Sequence, residues 1–262
     1  MAAFIFLQKL DDQEYREAVL PISNLEHSHQ PDDIASRLAN GPQASYLRDW
    51  IYGGIDGAVT TFAIVAGSTG AGLSSKVVLI LGIANLLADG FSMAAANYSG
   101  SKSEIEDFSR LKAIEEKHIA VAPEGEREEI RQIFKARGYS GEDLETMVRL
   151  VTSNKATWIE TMMQAEYGMS DAPRTPLKAA LYTFTAFVLF GSIPLLPFTF
   201  SLPASASTAT ALTALAFFAI GSFRARWSQR SWFSCGTETM AIGMLAAGIA
   251  YLAGYGLQAL IG

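Results

Sequence analysis

Between Leu86 and Ile119 the chain passes from an apolar run to a densely charged one with no proline between them. The first half, Leu86-Leu-Ala-Asp89-Gly-Phe-Ser-Met93-Ala-Ala-Ala-Asn97-Tyr, ends a segment long enough to cross a bilayer and carries a carboxylate and a thioether. The second half runs through Glu104-Ile-Glu-Asp to Glu115-Glu-Lys-His118 with the same helical character. The glycine at their junction, Gly100, costs a helix only about 1 kcal/mol. One long helix is therefore predicted, leaving the membrane and continuing into water, with metal-type ligands on both sides of the boundary. A chain built on such a helix must divide itself between two solvents.

The distribution of charge repeats that division. Lys, Arg, Asp and Glu crowd into residues 8–49 and 102–178 and leave long stretches nearly bare, the pattern of a membrane protein with a polar insert. The formal net charge of −6 sits mainly in the insert. It argues against a nucleic-acid partner and for cations. A single cysteine, Cys235, excludes an intrachain disulfide and a thiolate metal cluster. The start, Met1-Ala-Ala-Phe-Ile-Phe-Leu-Gln-Lys, has too short an apolar run and no basic leader for a secretory signal. The first membrane helix is expected to serve for insertion. Residues 1–45 form a polar segment with Pro21, Pro31 and Pro42, in which Phe4 to Leu20 suits a short amphipathic helix. Glu26-His-Ser-His29 has metal-ligand composition, but its position between prolines better suits a capping or solvated turn.

Five apolar segments are long enough to span: about Trp50–Ala71, Val77–Tyr98, Leu177–Phe200, Thr208–Phe223 and Thr239–Ile261, against the ~20 residues a helix needs. The first two make up residues 46–100 and the last three residues 175–262, with Pro194 and Pro197 predicting a break in the third. Gly53 and Gly57, one turn apart, suit close helix packing, as do the glycines of the last segment. The insert, residues 101–174, reads as helices: the continuation of the long one, then Glu126–Arg137, Glu142–Thr152 with Ser140 as N-cap, and Ala156–Gly168. Ala122-Pro123-Glu124-Gly125 is the expected break after the first. Strand signals are absent. The predicted fold is thus an all-α membrane protein of five transmembrane helices, with a cytoplasmic helical insert between helices two and three. Orientation follows the basic residues. Arg48, Lys102, Arg110, Arg174, Lys178, Arg224, Arg226 and Arg230 flank one side and only Lys76 the other, so the N-terminus and insert are expected inside and the C-terminus outside.

An ionised carboxylate in a bilayer is costly, so Asp56 and Asp89 should face the bundle interior or a wet cavity. At ~1.5 Å per residue, Asp56 and Met93 lie at similar depth on adjacent antiparallel helices. Asn85, Asp89, Met93 and Asn97 form one stripe at four-residue spacing. A carboxylate, an amide oxygen and a thioether suit Fe²⁺ or Mn²⁺ better than Ca²⁺ or Mg²⁺. Hydrogen bonding of Asp89 and the asparagines to neighbouring helices, with Met93 as packing, is the plainer alternative. In the insert, Glu115 and His118 are three residues apart on one helix, Glu126 and Glu129 repeat the spacing, and Met162 and Glu166 are one turn apart. Each pair alone is an ordinary solvated face. Three helices joined by short turns can aim them at one point.

The strings Arg48-Asp-Trp-Ile-Tyr-Gly-Gly-Ile-Asp56-Gly-Ala-Val-Thr-Thr-Phe, Asp89-Gly-Phe-Ser-Met93 and Met162-Met163-Gln-Ala-Glu166 resemble the vacuolar iron transporter family, from about residue 45 to the end. The resemblance implies a homodimer with five membrane helices per subunit and a metal-binding domain between helices two and three. It also implies export of Fe²⁺, and in some members Mn²⁺, from the cytosol in exchange for protons, with no prosthetic group. The implied pathway residues are Asp56 and Met93. The implied insert ligands are Glu115, Glu126, Glu129, Met162, Met163 and Glu166, with position 118 a histidine where relatives favour glutamate. His118 can still bind Fe²⁺ or Zn²⁺, but loading would depend more on pH near 6–7. Relatives commonly have a glutamate where this chain has Asn85, and an amide carries no proton, so Asp89 is the candidate replacement. The competing expectation is an enzyme, a membrane-anchored di-iron ferroxidase. Such a centre needs two Glu-x-x-His motifs and two further glutamates on four long helices. The insert has one such motif, and a ferroxidase leaves Asp56 unexplained, so the transporter is preferred.

Overall fold

The structure is a computed structural model that describes residues 27–39, 41, 44–169 and 174–261. The chain forms two compact units, Met1–Gln43 and Ala44–Gly262. In the first, α1 (Pro31–Ala39) has acidic residues in its first turn, Arg37 in its last and no buried residue. Before it the exposed rings of His27 and His29 stack 4.9 Å apart, and His29 Nδ1 lies 3.2 Å from the His27 carbonyl oxygen. Phe4–Leu20 and Glu26 lie outside the described residues.

Among its described residues the second unit consists of helices joined by turns and loops, with no strand. Helix α2 spans Leu47–Gly70, and after a tight turn α3 runs unbroken for 47 residues, Ser75–Val121. The expected long helix is there, with Gly100 inside it. Its buried residues in the apolar half, Val78, Gly82, Leu86, Gly90 and Ala94, recur every four residues. Asn85, Asp89, Met93 and Asn97 run beside that row, each half-buried.

Among the described residues four helices are long and apolar enough to cross a membrane: α3, Pro176–Thr199, Ser205–Trp227 and Trp232–Leu260. Helix α2 is not among them. Its Gly, Thr and Ser content and the charges of Arg48, Asp49 and Asp56 lower its hydropathy. It is covered by protein instead. A Cβ on Gly53 would stand 2.3 Å from the Thr183 carbonyl oxygen, and one on Gly57 would stand 2.4 Å from that of Phe187. The backbones of α2 and α7 (Pro176–Ser192) meet there, as the spacing of the two glycines predicts. Phe62, Val65, Leu86, Phe187 and Leu195 form the core of this helical bundle.

After α7 the two prolines act as expected. A 3₁₀ turn, Ile193–Leu195, and the short α8, Leu196–Thr199, replace a straight continuation. Helix α9 is Ser205–Arg224 and α10 is Trp232–Ile261. The last helix begins seven residues before the expected Thr239. Glu238 does not end it, because its carboxylate accepts from Arg224 at 3.2 Å and Arg230 at 2.7 Å.

The insert folds on its own apolar residues. Its helices are α4 (Pro123–Ala136), α5 (Gly141–Thr152) and α6 (Lys155–Ala165). The break after α3 is only Ala122, since Pro123 takes the first helical position, where its missing N–H costs nothing. Ile130, Phe134, Leu144, Val148, Val151, Trp158 and Met162 form one cluster. Asn154 caps α6 by accepting from the Ala156 and Thr157 amides at 2.9 and 3.2 Å. Ser140 has the extended conformation of an N-cap, but its hydroxyl makes no capping bond.

Candidate metal centre

The end of α3, the start of α4 and the end of α6 bring one acidic group together. Glu115 is 1% exposed and Glu126 5% exposed, despite their charge. Tyr167, just past α6, donates its hydroxyl proton to Glu115 Oε1 at 2.9 Å. His118 Nδ1 stands 3.5 Å from Glu126 Oε1. Glu115 Oε2 and Glu126 Oε2 are buried with no hydrogen-bond partner among the described residues. Burying a carboxylate oxygen without a partner is expensive.

Burial, then the neighbouring charges of Glu129 and Glu115, push the Glu126 carboxyl up to about 7, and His118 opposes the shift. Glu166 is raised for the same reasons, by burial first and then by Glu115 and Glu129, with Tyr167 working against it. Burial and the Glu115 carboxylate likewise raise the Tyr167 phenol. Four of the carboxylates the sequence singled out therefore feel one another across three helices. Among the described residues no three His, Cys, Asp or Glu side chains are closed around one point. Mutual repulsion accounts for carboxylates that face one another without meeting, and Glu129, His118 and Glu166 retain exposed side chains free to swing inward.

The two methionines lie differently. Met162 is fully buried in the insert core with Trp158 and Val151, where its thioether serves packing. Met163 is 2% exposed and borders a cavity between α3 and α6 with Phe108 and Ile159. Their spacing to Glu166, four residues for Met162 and three for Met163, fitted a ligand face and a buried face equally well.

In the bundle Asp56 and Asp89 are half-buried. Asn85 has a buried amide nitrogen without a partner among the described residues. Met93 packs against the bundle core and lines a polar cavity with Asp49 and Asn97, one that Asp56 does not border.

Sequence reasoning missed three residues here. Asp49, only 3% exposed, accepts from Asn97 Nδ2 at 2.9 Å and pairs with Arg174. Asn97 also donates to Thr183 Oγ1 at 2.7 Å, which ties α2, α3 and α7 together. The available signal was that Asp49 precedes Asp56 by seven residues, two turns on one face. Tyr167 was missed beside Glu166, and Arg174 was read only as a flanking charge.

The VIT family model matches residues 47–255. A vacuolar iron transporter of Toxoplasma gondii is 39% identical over 59% of this chain, which spans 52% of that relative's length. Vacuolar iron transporter 2 of Oryza sativa is 34% identical over 78% of this chain and 85% of its own. Vacuolar iron transporter 1 of Arabidopsis thaliana is 32% identical over 78% and 83%. Apolar helices long enough to cross a membrane, a long helix that continues into an acidic insert, and this match over most of the length agree: the chain belongs to the VIT family.

Proposed function

We propose that the protein transports divalent metal, Fe²⁺ and also Mn²⁺, out of the cytosol in exchange for protons. The observation that carries this reading is the pair of buried, incompletely bonded carboxylates Glu115, at the end of the same helix that bears Asp89 and Met93, and Glu126, at the start of the next helix. Metal gathers in the insert on Glu115, Glu126, Glu129 and Glu166, with His118 and Met163 completing the set and Met162 holding the packing behind it. It passes to Asp56 and Met93 in the bundle. Protons return through Asp89, because the amide of Asn85 carries none.

The insert is cytoplasmic in this reading, and α2 is the first of five spans. Its far end supports that assignment: a Cβ on Gly70 would stand 2.5 Å from the Tyr251 carbonyl oxygen of α10, so α2 runs against that apolar helix to its last three turns. The exposed apolar residues of α3 and α10, among them Phe91, Leu87, Leu245 and Leu252, supply surface for lipid and for a second subunit. The relatives are named for transport, and the transporter reading is preferred over a ferroxidase.

The test is reconstitution in liposomes, following Fe²⁺ and Mn²⁺ flux with and without a pH gradient. Flux that the gradient accelerates is expected, and Asp56→Asn should abolish it at nearly constant side-chain volume. Equal flux in the mutant would make Asp56 a packing residue. Absence of metal flux in the unmodified protein would overturn the reading.

A further inference from the structure

On the insert side of Met93 lies a polar cavity of about 300 Å³, lined by Asp49, Met93, Asn97, Glu104, Arg174 and Thr183. Its residues form steps. Asp49 lies two helical turns, about 10 Å, from Asp56 on α2, and Asn97 lies one turn from Met93 on α3. From the level of the Asp49–Asn97 hydrogen bond, Met93 therefore lies about 6 Å and Asp56 about 10 Å further into the bundle. Glu104, two turns further along α3, stands where the cavity opens toward the insert.

The lower step offers the Asp49 carboxylate and the Thr183 hydroxyl, and the Asn97 amide, whose Nδ2 here donates to both, adds its oxygen once the amide turns over. Such a set suits a hard or borderline divalent cation. In the structure a cation already faces it, for the Arg174 guanidinium pairs with Asp49 Oδ2. That pairing has two physical consequences. A guanidinium cannot shed its proton, so the positive charge leaves only if the side chain moves. And Asp49 is almost fully buried, so it does not tolerate standing alone: a replacement cation must arrive as the guanidinium leaves. Arg174 is equipped to move. Its side chain keeps 25% exposure, and its Nε has no hydrogen-bond partner among the described residues. In sequence it lies eight residues beyond Glu166 and two before α7, at the junction between insert and bundle.

We propose that Arg174 is a tethered cation that plugs the insert-side mouth of the bundle, and that a divalent cation displaces it from Asp49 and Asn97 on the way to Met93. This rests on the transport reading and adds to it a site and a gate. With the guanidinium seated, the Asp49 charge is neutralised and its carboxylate is occupied, while Arg48 and Glu104 line the same cavity. A divalent ion satisfies Asp49 and repels the guanidinium outward, so the mouth opens only when cargo replaces the plug.

The test uses the full-length protein in proteoliposomes, with initial Mn²⁺ flux measured against Mn²⁺ concentration. Arg174→Gln removes the competitor, and the apparent KM should fall roughly tenfold. Because this variant leaves Asp49 buried and unpaired, its melting temperature is measured alongside. The double variant Asp49→Asn with Arg174→Gln removes both charges at similar volume, and should fold but show a KM raised roughly tenfold. Opposite KM shifts in the two variants are the expected result. If Arg174→Gln does not fold, the raised KM of the double variant decides. An unchanged KM in the double variant, with the unmodified protein transporting, would reduce the pair to a structural ion pair. A failure of the transport reading looks different, since the unmodified protein would then carry no metal.

Discussion

Glu126 is the residue whose environment departs furthest from that of a surface carboxylate. In the folded chain it holds its proton up to about 7, against 4.5 for an ordinary glutamate, chiefly because it is buried and then because of Glu129 and Glu115. Between those two values the folded state binds more protons than the unfolded one, so cation-free stability falls as pH rises through that window. A divalent cation reverses the cost by neutralising the carboxylates, and below about 7 it must first displace the Glu126 proton. The Mn²⁺-dependent rise in melting temperature should therefore be larger at pH 7.5 than at pH 6, with saturation at 100 times the dissociation constant contributing about 2.7 kcal/mol. Calorimetry of the full chain at three pH values measures it. Glu126→Gln should flatten the cation-free dependence and remove most of the Mn²⁺ gain, and an equal gain in this mutant would take Glu126 out of the ligand set. Tyr167 serves the same cluster. Tyr167→Phe deletes the hydroxyl that bonds Glu115 and leaves both oxygens of a buried carboxylate unpartnered, a loss of about 1–3 kcal/mol without metal. Saturating Mn²⁺ should recover most of it, because a cation on Glu115 replaces the missing donor. A loss of equal size with and without Mn²⁺ would mean the phenol acts by packing alone.

At the scale of elements, α2 and α7 are joined through glycine. At Gly57 a Cβ would meet the carbonyl oxygen of Phe187 and its Cα, which are backbone atoms that cannot rotate away. Gly57→Ala should therefore push the helices apart and destabilise the bundle by about 1–3 kcal/mol. Gly100→Ala, with nothing within 4 Å of the new methyl, should leave stability unchanged or improve it by up to about 1 kcal/mol. Thermal unfolding in detergent separates the two, and equal behaviour would dismiss close packing as the reason for Gly57. The same elements mark how far the sequence could be read. The unbroken α3, the glycine contact and the break at Pro194 and Pro197 are local patterns and were legible. The Asp49–Arg174 pair was not, because its members are 125 residues apart and each reads alone as a boundary charge. Nor was the division between Met162 and Met163, since adjacent residues on one helix enter different surroundings according to tertiary packing. The early start of α10 was hidden by Glu238, whose neutralisation by Arg224 and Arg230 is a fold-level fact.

At the scale of the whole molecule, α3 is about 70 Å long at 47 residues. A bilayer's apolar core takes up about 30 Å of that, so the rest stands in water on one side. Arg110 and Asp107, bonded at 2.7 Å, already lie on that wet half. The other end of α3 begins at Ser75 after the turn from α2, and a Cβ on Gly72 in that turn would stand 3.0 Å from the Gln258 side chain near the end of α10. The turn and the end of α10 therefore share one face of the bundle, and the insert hangs from the opposite face. With the basic flanks at the insert, the proposed orientation predicts the insert on the cytoplasmic side and the turn on the other. Labelling with a membrane-impermeant maleimide tests this directly. Cys235 is 1% exposed, so the unmodified chain supplies a low background. Ser74→Cys and Gln258→Cys should react only from the outer or lumenal side, and Ser140→Cys in the insert only from the cytoplasmic side. Reaction of Ser74→Cys and Ser140→Cys from the same side would mean that α3 does not cross. Reaction of Gln258→Cys from the side opposite Ser74→Cys would contradict the contact between the turn and α10, and with it an odd number of spans.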